Sequence, residues 1–155
     1  MSSNEMTPAE LSDWMRKERE TLIELSKVLR QHIAAKPDLA LDDWLLGLRA
    51  GFQRLLTHLQ RHYAAKTQGG YLTPVVEQRP SLSKQVEQMC GEHSEILHMG
   101  EKIHEELAIV IAEQKLLVAD ICARVQRFMA IVADHDQREI MLTMYVFSQD
   151  IGETG

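Results

Sequence analysis

The sequence predicts an all-α fold, an antiparallel up-down-up-down four-helix bundle that takes in residues 1–155 as one domain. Three observations lead there. Apolar residues recur at intervals of three and four through most of the chain. Proline and glycine gather at a few points between those periodic stretches. No stretch alternates apolar and polar residues as a strand would.

Thr7-Pro8-Ala9-Glu10 reads as an N-cap, a proline at the first helical position and a glutamate at the third, which together satisfy backbone donors left without partners. A first helix starts there, with its apolar face at Leu11, Met15, Leu22, Leu25 and Leu29, and runs to about Ala35. Pro37-Asp38 interrupts the period. Asp38 or Asp42 can cap a second helix whose seam is Leu45, Leu48, Phe52, Leu55 and Leu59 and whose end is near Lys66. Thr67 to Ser81 holds Gly69-Gly70, Pro74 and Pro80 without a steady period, so it forms the long connection. Ser81 or Ser83 caps a third helix, with Val86, Met89, Ile96, Ile103, Leu107 and Val110 inward. The fourth seam reads Ile121, Val125, Phe128, Val132, Leu142 and Val146, and the Gly152 region stops it. Neither Gly nor Pro separates the third helix from the fourth. A single helix from Ser83 to Gln149 would be ~100 Å long, more than a chain of this size can accommodate, so a turn belongs between Ala112 and Asp120.

Composition removes several functions. The 17 Lys plus Arg against 23 Asp plus Glu form no basic stripe, so nucleic acid is not an expected partner. The longest apolar run, Leu107 to Ala112, is far below the ~20 residues of a membrane span, so no membrane partner is expected. MSSNEMTPAE lacks the layout of a secretory signal, which leaves a reducing cytoplasm as the expected location. Cys90 and Cys122 fall near the starts of the third and fourth helices, ~30 Å apart in an antiparallel bundle, too far for a disulfide.

The gaps in the seams carry the chemistry. Glu18 stands between Met15 and Leu22. His62 follows Leu59, with His58 one turn earlier, and His93 stands between Met89 and Ile96. His135 and Glu139 stand between Val132 and Leu142. Residues four apart share a helix face, so His58/His62 and His135/Glu139 each aim two ligand groups at one point. Axial level agrees with this. Glu18 and His58 are equidistant from Pro37-Asp38, and His93 and His135 from position 114, where a turn is required. The separations repeat as well, 40 residues in the first case and 42 in the second, as in two similar hairpins. Singly, Glu18 fits a snorkelling side chain and His135/Glu139 a surface hydrogen bond. Together the six fit a dinuclear metal site. If both carboxylates bridge, they give roughly four oxygens and the imidazoles four nitrogens, leaving about four positions open. Nitrogen and oxygen donors without thiolate suit iron or manganese, and zinc also.

His32 lies ~21 Å along its helix from Glu18 and reads as a helix-end residue meeting carbonyls. His98 falls off the seam and His104 lies about three turns above His93, so both read as exposed or, at most, as neighbours of the ligands. Eight Met read most simply as core filler, and Trp14, Trp44, Tyr63 and Tyr145 carry no motif.

These residues resemble the hemerythrin-like (HHE cation-binding) domains over essentially the whole chain. That family has a His on its first helix, HxxxE on its second, His on its third, commonly after Glu, and HxxxE on its fourth. Glu92-His93 and His135-Asp136-Gln137-Arg138-Glu139 match. His58-Leu59-Gln60-Arg61-His62 matches except at its last position, and Glu18 stands where the family has its first His. The two departures are reciprocal and conserve total ligand charge. The resemblance implies a non-haem di-iron protein with metal ligands Glu18, His58, His62, His93, His135 and Glu139. It implies two iron ions with an oxo or hydroxo bridge, and dioxygen, nitric oxide or peroxide as the ligand bound or sensed. A peroxidase- or catalase-like enzyme, an iron-handling protein and a metal-free interaction module are the alternatives, and a sensor would signal through a protein partner.

Overall fold

The computed structural model describes residues 7–68 and 72–154, with the backbone alone at 8, 67, 68 and 147–154. Among the described residues the chain is helical throughout, without a strand: α1 Pro8–Ala34, α2 Leu41–Gln68, α3 Thr73–Gln78, a 3-10 turn Pro80–Leu82, α4 Ser83–Ile109 and α5 Lys115–Thr154. Each predicted long helix is present. Gly69 and Gly70, expected in the long connection, lie outside the described residues. The rest of that connection is more ordered than its lack of period suggested, because Pro74 suits the first turn of the short α3.

Three boundary signals act differently from expectation. The Thr7 hydroxyl accepts from Glu10 N at 3.1 Å, as its capping pattern predicted. No Asp takes that role for α2. The helix begins at Leu41 after Ala40, which has φ 62°, so Asp42 sits inside the first turn, where its negative charge complements the positive end of the helix dipole. Neither Ser81 nor Ser83 caps α4, because the 3-10 turn runs straight into the helix and the Ser83 N–H donates to Pro80 O. At the other end of the chain, the α5 backbone passes through Gly152 to Thr154.

The turn between α4 and α5, which no Gly or Pro marks, spans residues 110–114. Its stop signal comes from elsewhere in the chain. Arg49 of α2 donates from Nε to Leu107 O at 2.5 Å and from Nη2 to Val110 O at 2.6 Å, taking up carbonyls at the end of α4. Gln114 Oε1 accepts from Ile111 N at 3.1 Å.

α1 packs on α2 and α5, and α4 packs on α2 and α5. The predicted seams are the core: Leu45, Leu48, Phe52, Leu55, Leu59, Ile121, Val125 and Phe128 are all buried to 2% exposure or less. Buried apolar residues form two clusters. The larger contains Leu22, Leu59, Ile96 and Val132. The smaller contains Leu11, Val86, Met89 and Val146. On α1, α4 and α5, the gap between the two clusters is where Glu18, His93, His135 and Glu139 fall, so a polar layer separates two apolar ones. Methionine serves only partly as filler, since Met89 and Met129 are buried but Met99, Met141 and Met144 are exposed. Cys90 is exposed and Cys122 buried, and both are free thiols.

His32 takes a more specific role than a helix-end residue. Its ring stacks on Trp44 at 5.3 Å, Nε2 meets Trp44 O at 2.7 Å, and Trp44 Nε1 donates to His32 O at 2.8 Å. This lock fixes the junction of α1 and α2 and leaves room at Gly47 for no side chain: an added Cβ would stand 2.5 Å from His32 Cε1. Gly91 is also helical, but an added Cβ there meets nothing within 4 Å. Gly47→Ala should therefore lower the thermal midpoint by displacing the His32 ring. Gly91→Ala should raise it, by up to ~1 kcal/mol of recovered helix propensity. Circular-dichroism melts of the two variants check both signs.

Candidate metal centre

The six residues singled out from the seams come together as two groups of three. Glu18, His58 and His62 form one, and His93, His135 and Glu139 the other, with donor atoms in each group all within 4.8 Å of one another. Each group has one carboxylate and two imidazoles. In the first, Glu18 Oε2 is 3.5 Å from His58 Nε2 and Oε1 is 3.7 Å from His62 Nδ1. In the second, Glu139 Oε2 is 2.8 Å from His93 Nε2 and 3.2 Å from His135 Nε2. Donors bound at ~2.1 Å to one ion stand about 3.0 Å apart in octahedral and about 3.4 Å apart in tetrahedral geometry, so both groups have the span of a coordination polyhedron.

The helical spacing accounts for each placement. Glu18 comes from α1, the 58/62 pair from one face of α2, His93 from α4 and the 135/139 pair from one face of α5. Burial differs sharply between the groups. The side chains of Glu18 and His58 keep 23% and 14% of their surface, whereas those of His135 and Glu139 keep 1% and 0%.

His135 carries the most informative geometry. Its Nδ1 lies 2.9 Å from Glu92 Oε1, and Glu92 is gripped by both Arg138 amino groups, Nη2 to Oε1 at 2.6 Å and Nη1 to Oε2 at 3.0 Å. A carboxylate at Nδ1 assigns the ring proton to that nitrogen and leaves the Nε2 lone pair facing Glu139. Nε2 is buried with no hydrogen-bond partner. Two lone-pair-bearing atoms are thus held 3.2 Å apart in a dry interior, an arrangement that favours a cation between them. His62 Nδ1 and His93 Nδ1 are likewise buried without a hydrogen bond.

Burial favours the neutral form of His62, His93 and His135, the state in which they can act as ligands. Burial, reinforced by the Lys66 ammonium, brings the His62 pKa down to about 2 and that of His93 down to about 3. Burial lowers His135 too. The Arg138 hydrogen bonds hold Glu92 down at about 2, and burial raises Tyr63 and Asp136.

Several neighbours escaped the sequence reading. Lys66 is 4% exposed and donates to Glu139 Oε1 in a close ion pair. Its position four residues after His62 puts it on the same α2 face as His58 and His62, a signal present in the spacing. Tyr63 stacks on His93 at 4.2 Å and meets His135 edge-on at 5.8 Å. Trp14 stacks on His62 at 5.2 Å. Tyr145 is exposed, as is His98, and His104 is partly exposed. No helix among the described residues is long and apolar enough to cross a membrane.

The chain matches no family model, no curated protein and no solved structure.

Because the native imidazoles resist protons that the unfolded chain accepts near pH 6.5, their contribution to stability is complete above that pH. It is lost progressively as pH falls towards 3. Melts of metal-free protein between pH 7.5 and 4.5 should show a falling midpoint. A His62→Gln/His93→Gln double variant should show a shallower slope over the same range.

Proposed function

We propose that this protein is a dinuclear metal protein of hemerythrin type, with two iron ions held by Glu18, His58, His62, His93, His135 and Glu139. The observation that carries this reading is the buried, unprotonated His135 Nε2 facing the Glu139 carboxylate, with Nδ1 already committed to Glu92. A carboxylate on the far nitrogen of a ligating imidazole fixes its tautomer and raises its basicity. The donor set, four nitrogens and two carboxylates without a thiolate, suits iron, with manganese and zinc as further candidates.

The proposed topology is antiparallel up-down-up-down, and partner numbers running in opposite directions support it. His32 meets Trp44 while Glu18 meets His58 across α1 and α2, and Glu106 meets Arg124 while Glu92 meets His135 across α4 and α5. The resemblance in the sequence supports the same arrangement.

Iron in such a centre supplies open coordination positions and a change of oxidation state, suited to binding or sensing dioxygen, nitric oxide or peroxide. This chain's own residues do the rest. Glu92 and Arg138 orient His135, the aromatic rings of Trp14 and Tyr63 flank the imidazoles, and the apolar clusters on both sides exclude water. Reversible ligand binding without turnover marks a carrier or sensor, whereas sustained consumption of peroxide marks an enzyme.

A metal-free network is the second reading, and the Lys66–Glu139 pair favours it by satisfying part of the buried charge without an ion. Elemental analysis of protein made with iron available and purified without a chelating tag separates the two. About two iron atoms per chain are expected on the dinuclear reading. Absence of metal, with a melting midpoint that a chelator leaves unchanged, would establish the network instead. Glu92→Ala, which frees His135 Nδ1, should weaken metal binding by about 10- to 100-fold in competition with a chromophoric chelator while keeping the helical spectrum.

A further inference from the structure

The two groups have the same donors but different charge. In the first, the Glu18 carboxylate faces the rings of His58 and His62. In the second, the Glu139 carboxylate already carries the Lys66 ammonium on Oε1 while Oε2 faces His93 and His135. Both members of that ion pair are enclosed, with side-chain exposures of 2% and 0%. A divalent ion entering the first group therefore meets a net negative charge, and one entering the second meets a pair that is already neutral. Two cations on one carboxylate in a dry interior repel strongly.

Lys66 has somewhere to go. A cavity of about 290 Å³ adjoins it, lined by Leu72, Thr73, Val76, Val86, Cys90 and His93 as well as Lys66 itself. Thr73 and Cys90 are exposed, so the cavity reaches the surface, where an ammonium can be hydrated. The Lys66 stem can lie against its aliphatic wall with the charged head towards water.

We propose that Lys66 is a built-in cation of the second group, so that the two metal positions fill in order: Glu18/His58/His62 first, then His93/His135/Glu139 as the ammonium withdraws from Glu139 into the adjoining cavity. The withdrawal breaks hydrogen bonds only, and the ammonium keeps its three protons. This inference rests on the metal reading given above and names what makes its two halves unequal.

Isothermal titration of Zn²⁺ into metal-free protein tests it. The expected wild-type result is two phases of about one equivalent each, the second at least tenfold weaker, about 1.4 kcal/mol. Glu18→Gln should remove the tighter phase and Glu139→Gln the weaker one. Lys66→Met, which keeps the stem and deletes the charge, should tighten the second phase by tenfold or more and the first by clearly less, since the ammonium also acts on His62 from a greater distance. Val76→Trp, which fills the cavity from α3 and keeps every ligand, should weaken the second phase and leave the first within about threefold. It tests the withdrawal even if Lys66→Met fails to fold. Two equal phases in the wild type, or a second phase unmoved by Lys66→Met and Val76→Trp in proteins with native circular dichroism, would overturn the ordered filling and leave the dinuclear reading standing. No Zn²⁺ bound by either the wild type or folded Lys66→Met would overturn both.

Discussion

A carboxylate with no exposed surface dominates the interior of this bundle. Glu139 sits on α5 between Val132 and Val146, inside a core that otherwise gains from excluding water. An ionised carboxylate in such a place is costly unless charge and hydrogen bonds meet it on several sides. Lys66 from α2 meets Oε1 and His93 from α4 meets Oε2, while His135 of its own helix holds Nε2 3.2 Å from that same oxygen. Three helices are therefore tied to one side chain. Replacing such a layer with aliphatic residues would commonly stabilise a bundle rather than weaken it. A polar layer between two intact apolar clusters is thus better explained by a function than by a need for stability.

The second layer of contacts fits the same account. Glu92 has its own counter-ion in Arg138, so its bond to His135 orients a ring without adding uncompensated charge. Tyr63 lies face-on to His93 and edge-on to His135, filling space with ring atoms that do not compete for the imidazole lone pairs. The departure at 18 and 62 from the hemerythrin-like pattern that the sequence resembles also becomes intelligible in three dimensions. Along the sequence it is an exchange of His for Glu and Glu for His at distant positions. In space both residues belong to one group, so the exchange leaves that group with one carboxylate and two imidazoles, the composition of its neighbour.

Much of this was legible from periodicity. Helices have a fixed period and site residues interrupt it, so Glu18, His62, His93, His135 and Glu139 stood out as gaps in otherwise apolar seams. The partners of those residues were less visible for physical reasons. Lys66 marked only the approximate end of the second helix, where a lysine ordinarily suits the dipole, and only the burial of α2 against its neighbours gives it another role. Arg49 was silent because it closes α4 across 58 residues of sequence, a tertiary cap that no local pattern encodes. The α2 start was misread for the related reason that Asp is favoured at caps in general, while here the chain turns through a left-handed Ala40. His32 and Trp44 each lacked a motif because their meaning lies in one another.

The difference in burial between the two groups also bears on where small molecules meet the centre. The Glu18 group lies partly open, with Glu18 and His58 reaching solvent from α1 and α2, so an ion or ligand can arrive there without moving the core. The His135 group is buried, and His93 lines the cavity that Lys66, Val86 and Cys90 share. In the proposed centre, one half would be accessible and the other guarded by an internal cation, chemically asymmetric even though the ligands are paired. Asymmetry of that kind lets one position exchange ligands while the other keeps the geometry. On the proposed reading it rests on a single lysine one turn beyond the second histidine of α2.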